Sequence, residues 1–175
     1  MFTRTLHKHH THHLLRYFRS HSCLQFAYCG TKTGEVLKFR IDRDDIQSFN
    51  TPDRIRPTLQ DYSRDRFGKG CKSIACVLNP STGNTNILCG GGDGTVQIMN
   101  SLLNSVKKFS AKLTGAVTSM CISPSGQGFY CGTSLSQRYY LDFATFTPEL
   151  RGTCHYGEIF DVKVRSGAIY ERRDL

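Results

Sequence analysis

The chain has 175 residues, a formal net charge of +9 and a hydrophobic fraction of 38%. This length and composition allow one domain of ordinary size with its own core. No apolar run approaches the roughly 20 residues that a membrane-spanning helix needs, so the composition argues against a membrane protein. The positive charge favours an acidic partner, but its sign does not choose between nucleic acid, anionic lipid and an acidic protein surface.

The N-terminal segment differs in composition from the rest of the chain. Residues 1–34 carry five basic residues and no acidic one, so more than half of the net charge lies there. We predict that residues 1–25 form a basic, His-rich extension outside the propeller described below. Its composition fits a mitochondrial transit peptide or a basic arm that packs on an acidic surface. The arm is the favoured interpretation, with Arg16 and Arg19 as candidate partner-binding residues.

Three segments in chain order share one pattern, in which an apolar run, a Cys-Gly pair and a short polar turn precede a second, alternating run. The segments are 26–42, 86–102 and 128–144, and their Cys-Gly pairs begin at Cys29, Cys89 and Cys131. Alternating apolar runs joined by short polar turns are typical of β-hairpins. The sequence therefore predicts one hairpin repeated three times.

The spacing of the second and third hairpins predicts the architecture. Cys89 and Cys131 lie 42 residues apart, a period typical of four-stranded propeller blades. We therefore predict an all-β fold, a partial and open WD-type β-propeller of about three to four blades over residues 26–164. The predicted strands are 26–30 and 35–41 in blade one; 72–78, 86–90, 95–99 and 105–111 in blade two; 116–123, 128–132, 138–143 and 149–154 in blade three; and 158–164 at the start of blade four.

Two further segments fall outside this repeat. We predict a long interblade loop at 43–72, which is charged and contains prolines, and a C-terminal tail at 165–175. Known closed propellers have roughly 4–8 blades, so an arc of three to four blades leaves sheet edges unprotected. We therefore expect a lone monomer to be marginally stable, and we expect a large assembly or another chain to complete the propeller.

The glycine run Gly90–Gly94 is the segment that most resembles a nucleotide-binding loop. It lacks the Lys of a Walker loop and the third spaced Gly of a dinucleotide loop. A predicted strand follows it, whereas a phosphate site of this kind needs a helix N-terminus. Asp-Gly is instead a favoured pair for a hairpin turn, because both residues tolerate positive φ. We interpret Asp93-Gly94 as a turn between strands.

The sequence contains no motif that indicates a catalytic site or a metal-binding site. The histidines of "HKHHTHH" (7–13) are good ligands for zinc, nickel or copper, but no second set of residues is evident that would orient them. No GxSxG motif or recognisable pair of carboxylates positions a nucleophile or a general acid. We predict that the protein is not an enzyme and has no metal site or cofactor.

The cysteines and arginines also favour structural roles. The eight cysteines form no CxxC pair and lie mostly in apolar runs, which predicts free, buried thiols of a reducing compartment. Arginines flank two aromatic residues in 54–67, but aspartates interleave with them and dilute the charge, so we interpret the segment as a solvated loop without nucleic acid. The residues concerned are Arg54, Arg56, Arg64, Arg66, Tyr62 and Phe67.

Longer segments resemble a known family. Leu113–Thr133 resembles the start of a WD repeat, with its LxG opening, Val-x-Ser strand and Ser-Pro-x-Gly turn, although the chain has no Trp for the Trp-Asp dipeptide. Three further segments add to this resemblance, namely "YCGTKTGEVLKF", "ILCGGGDGTVQIMN" and "TCHYGEIFDVKV". Taken together, residues 26–164 resemble the middle part of the sequences in the cilia- and flagella-associated protein 52 family.

The resemblance implies a non-catalytic, structural microtubule inner protein of ciliary or flagellar doublets. The implied partners are tubulin and neighbouring inner-junction proteins, and the implied location is the axoneme. The alternative is a general WD-repeat interaction scaffold of a cytosolic or organellar complex. Lys107 and Lys108 join the two arginines of the N-terminal segment as candidate partner-binding residues.

Overall fold

A computed structural model of the protein describes residues 14–16, 26–40, 58–64, 66–78, 85–108, 112–153, 157–165 and 168–173. Over these residues the chain is all-β, and no helix in this part of the chain could span a membrane. The strands are β1 (Leu14–Arg16), β2 (Phe26–Gly30), β3 (Val36–Arg40), β4 (Thr58–Tyr62), β5 (Cys71–Leu78), β6 (Thr85–Gly91), β7 (Val96–Met99), β8 (Ser105–Lys108), β9 (Val117–Ile122), β10 (Gly128–Thr133), β11 (Gln137–Asp142), β12 (Pro148–Thr153), β13 (Ile159–Arg165) and β14 (Ala168–Arg173).

The strands form three four-stranded antiparallel sheets and one two-stranded sheet. The orders are β1-β2-β3-β4 in blade one, β5-β6-β7-β8 in blade two, β9-β10-β11-β12 in blade three and β13-β14 in blade four. Strand β9 packs against β5 on one side and β13 on the other, so the first strands of successive blades lie side by side. This arrangement confirms the predicted all-β fold and the partial, open β-propeller.

Three segments that the sequence placed outside the blades contribute strands to them. Strand β4 lies inside the predicted interblade loop 43–72 and pairs with β3 from Leu37↔Tyr62 to Arg40↔Thr58. Strand β1 lies inside the predicted extension 1–25 and pairs with β2. Strand β14 lies inside the predicted tail 165–175 and pairs with β13. The side chains of β4 are largely exposed, so its sequence lacks the alternation that marks a half-buried strand.

The hydrophobic core lies between the blades. One cluster joins blades one and two and includes Val36, Ile87 and Met99. The other joins blades two and three and includes Leu88 and Phe129. All five side chains are fully buried. Strands β6 and β7 have consecutive buried residues, because a middle strand of a blade is covered on both faces by neighbouring blades.

Each outer strand departs from regular register at one point. The shift falls between Lys38 and Phe39 opposite β4, between Ile98 and Met99 opposite β8, and between Arg138 and Tyr139 opposite β12. A bulge increases the local twist of an edge strand and hinders pairing with a foreign strand. The same irregularity therefore protects the exposed edge of all three complete blades.

Candidate interaction surface

Strand connections at one end of the blades form a surface that we call the loop face. A second surface at the other end, the opposite face, consists of the turns that follow β7, β9 and β11. The described loop-face segments are 31–35, 63–64, 66–70, 91–95, 112–116, 133–136 and 157–158, and the described opposite-face turns are 100–104, 123–127 and 143–147.

The glycine of each Cys-Gly pair contacts the next blade. A Cβ atom on Gly90 would lie 2.6 Å from Cγ1 of Val117, and one on Gly132 would lie 2.5 Å from Cγ2 of Ile159. A Cβ atom on Gly30 would lie 2.9 Å from Cβ of Cys71. In each case the neighbour is the first residue of the following blade's first strand. The repeated glycine is therefore required because two blades approach closely there.

The Asp-Gly turn holds two blades together. Gly94 has a φ of +82°, and its carbonyl oxygen accepts a 2.9 Å hydrogen bond from the backbone N–H of Leu113, a buried residue that precedes blade three. Gly34, with a φ of +97°, accepts the equivalent 2.9 Å bond from Phe67 at the junction of blades one and two. A strand follows each turn, so the interpretation as a hairpin turn is confirmed.

Ion pairs reinforce both junctions. The Nζ atom of Lys112 lies 2.7 Å from Oδ2 of Asp93, and a guanidinium nitrogen of Arg66 lies 2.9 Å from Oε1 of Glu35. Burial raises the pKa of Asp93, but hydrogen bonds from Lys112 and Thr95 outweigh burial, so the net pKa is lowered. The hydrogen bond from Thr33, with smaller help from Arg66, lowers the pKa of Glu35.

We expect Asp93 to make stability depend on pH in the acidic range. Because its pKa is lowered by folding, its contribution is present above the pKa of the unfolded chain and is lost as pH falls through the folded value. Asp93→Asn should lower the unfolding free energy at neutral pH by less than about 1 kcal/mol, since Lys112 is largely exposed. Urea titrations of both proteins should converge at acidic pH, and a gap that stays constant would contradict the assignment.

Of the four candidate partner-binding residues from the sequence, only Lys107 and Lys108 have side chains that the structure describes. Lys107 and Lys108 are exposed on β8, the outer strand of blade two. The Nζ atom of Lys107 lies 3.2 Å from the centroid of the Phe146 ring, so this cation already contacts blade three. Arg16 lies on β1, the first strand of blade one, and its side chain is outside the described part of the structure. Arg19 lies outside the described residues.

Burial keeps the thiols of Cys29, Cys76 and Cys121 protonated at neutral pH. Of the described cysteines, four are buried and two are half-buried. Burial raises the pKa of Cys29 to about 11, that of Cys121 to about 11 and that of Cys76 to about 12. Because the thiolate is the reactive form, these groups are inert near neutral pH. The predicted free thiols are confirmed for Cys71, Cys76, Cys89, Cys121 and Cys131.

Two other parts of the sequence analysis, the His cluster and the arginine-rich segment 54–67, lie only partly within the described residues. The His cluster at 7–13 lies outside the described residues, and no three His, Cys, Asp or Glu side chains that the structure describes could hold a metal together. Phe67 is buried at the blade junction and cannot stack on a base, and Arg66 is paired with Glu35. Arg54 and Arg56 lie outside the described residues.

Comparisons with known proteins point to one family. No family model matches the chain. The chain is 30% identical to cilia- and flagella-associated protein 52 of Bos taurus over 138 residues, which is 78% of this chain and 19% of that protein. It is 27% identical to the protein of the same name in Chlamydomonas reinhardtii, over 77% of this chain and 19% of that protein.

The chain is a partial relative of cilia- and flagella-associated protein 52. It spans about a fifth of the length of the curated relatives that it matches. Among solved structures, it is similar to the computationally designed Ika4 protein with a TM-score of 0.63 and 12% identity, over 91% of this chain and 82% of that one. At that identity the likeness concerns the fold alone.

The loop face and the opposite face of this protein differ in charge. The described turns of the opposite face contain no charged residue. The described loop face contains more cations than anions, and two of its cations belong to the junction ion pairs. The cations are Lys32, Arg64, Arg66, Lys69 and Lys112, and the anions are Glu35, Asp93 and Glu158.

Sequence reasoning missed the residues that join the loop face to the blades. Phe67 and Leu113 both lie four positions before the first residue of the next blade, and both are buried. A signal was present, because "FGKGC" and "LTGAV" align on these positions. Because residues 43–72 were assigned to an interblade loop, Phe67 was not aligned with Leu113.

Proposed function

We propose that this protein is a non-catalytic structural component of cilia or flagella, which binds its partners through the surfaces of its blades. The observation that carries the proposal is the kinship with cilia- and flagella-associated protein 52 over 78% of the chain. The recurring residues support a structural role, since the repeated glycines and the acidic residues beside them serve blade packing.

At a finer level, the proposal is a microtubule inner protein of axonemal doublets that contacts tubulin and neighbouring inner-junction proteins. The net charge of +9 supports a partner with acidic surfaces. The excess cations of the loop face offer such a partner a surface whose backbone is held by the blade junctions. The proposed location is the axoneme.

The proposal includes a partner that completes the propeller. Within the described residues, β14 pairs with β13 alone, whereas the other three sheets each have four strands. A free strand edge presents unpaired backbone groups and favours association. Another chain, or a further segment of a longer chain, would supply the missing strands of blade four.

Fractionation of axonemes tests the proposal. We expect the tagged chain, expressed in ciliated cells, to remain with doublet microtubules through a salt wash that removes weakly held surface proteins. A disassembled doublet preparation should release it together with tubulin. Recovery in the soluble cytosol or in mitochondria would overturn the proposal, and recovery in a soluble complex would favour the alternative, a general WD-repeat interaction scaffold.

A further inference from the structure

Three exposed cations of the loop face, on the β2–β3 turn and on the connection from β4 to β5, have no counter-ion among the described residues. Lys32, Arg64 and Lys69 make no ion pair with any residue that the structure describes. The neighbouring cation Arg66, in contrast, is paired with Glu35. The local charge excess of the loop face is therefore carried by these three side chains, which we call the blade-one cluster.

Backbone hydrogen bonds hold the segments that carry the blade-one cluster together. The N–H of Cys71 donates to the carbonyl of Thr31 at 2.9 Å, and the N–H of Ser63 donates to the carbonyl of Val36 at 2.8 Å. The bond from Phe67 to Gly34 lies between these two. Lys32 thus stands beside the loop that carries the other two cations. Binding through a pre-ordered backbone loses less conformational entropy than binding through a mobile loop.

The backbone at Lys69 provides an independent observation. Lys69 has a φ of +59° and lies two residues before Cys71, the first residue of β5. The equivalent positions before β9 and β13 are Gly115, with a φ of +88°, and Gly157, with a φ of +85°. The left-handed conformation is unfavourable for a residue with a Cβ atom. A lysine therefore stands where blade packing favours glycine, which indicates that its side chain has a role beyond packing.

We propose that the blade-one cluster binds an acidic, Asp- and Glu-rich segment of a protein partner. Charge complementarity supports this occupant, since the cluster offers separate cations on a fixed backbone. Nucleic acid suits the surface less well, because its affinity grows with the number of phosphates neutralised and the cluster offers only three cations. Peptide binding by the blade-one cluster rests on the proposed function in one respect, because both take the partner to be a protein. It does not depend on the ciliary location.

Binding of a fluorescent, Glu-rich synthetic peptide to the full chain tests this proposal. We expect anisotropy to report binding that weakens as salt is added, since exposed charges are screened. Lys69→Gly should weaken binding by about threefold, the value of one exposed charge contact. The same variant should raise the Tm by about 2–4 °C, because glycine relieves the left-handed strain. A lysine without a binding role would change the Tm alone.

Matched variants and probes complete the experiment. Lys32→Gln and Arg64→Gln should each weaken peptide binding by about threefold, whereas Lys108→Gln, which removes the same charge from exposed β8, should leave it unchanged. Unchanged affinity in Lys69→Gly, or an equal loss in Lys108→Gln, would overturn the proposal. Tighter binding of a single-stranded oligonucleotide through the same residues would also overturn it. Because the assay uses purified protein, failure of axonemal fractionation would leave its result intact.

Discussion

Replacing Gly94 by alanine is expected to lower the unfolding free energy by about 3 kcal/mol or more. A Cβ atom at this position would lie 2.1 Å from the carbonyl oxygen of Leu113, a distance that real contacts do not reach. The carbonyl is a backbone atom of the segment whose N–H bonds to Gly94, so the clash cannot be relieved without disturbing the junction of blades two and three. Urea denaturation followed by circular dichroism measures the loss.

Gly126→Ala is the matched control for this prediction. Gly126 also has a positive φ, +69°, but no atom lies within 4 Å of the position that its Cβ would occupy. Alanine there should cost only the backbone strain, about 1 kcal/mol. Equal losses in the two variants would show that the close approach at Gly94 does not contribute to stability.

Phe129→Ala is expected to lower the unfolding free energy by about 3–5 kcal/mol. The Phe129 side chain is fully buried in the cluster between blades two and three, and its ring centroid lies 5.3 Å from that of Phe143. Truncation removes buried apolar area and leaves a cavity that neighbouring side chains fill only in part. Thermal and urea denaturation should both report the loss.

Leu102→Ala provides the comparison for the core variant. Leu102 lies on the opposite face and is 62% exposed, so its truncation should change stability by about 0.5 kcal/mol or less. A similar loss in both variants would mean that the interblade cluster does not hold the arc together. A large loss at Phe129 alone would support a propeller whose stability resides between its blades.

The hairpins could be predicted because their signals are local. Cysteine, glycine and alternating apolar residues recur at a fixed spacing, and the predicted strand 26–30 coincides with the observed Phe26–Gly30. The predicted strand 95–99 likewise contains the observed Val96–Met99. Each middle strand has many buried residues, so its own sequence indicates both its conformation and its place in the core.

The candidate interaction surface could be predicted only in part. Charge composition indicated an acidic partner, but the four basic candidates named from the sequence include no member of the blade-one cluster. The blade-one cluster exists because backbone hydrogen bonds hold the loop before β5 beside the β2–β3 turn. Those bonds join residues far apart in sequence, and no local pattern encodes them.

The sequence by itself determined the repeated hairpin, its Asp-Gly turn and the all-β class, because turn chemistry and side-chain alternation act between near neighbours. Only the tertiary structure decided that Thr58–Tyr62, Leu14–Arg16 and Ala168–Arg173 pair as strands. The five-residue strand Thr58–Tyr62 is largely exposed, so its own side chains leave its conformation undecided and the partner strand supplies the deciding hydrogen bonds. The tertiary structure also showed why glycine recurs in the Cys-Gly pair, since a Cβ there would clash with the next blade and, at Gly90 and Gly132, also with a serine of the same blade.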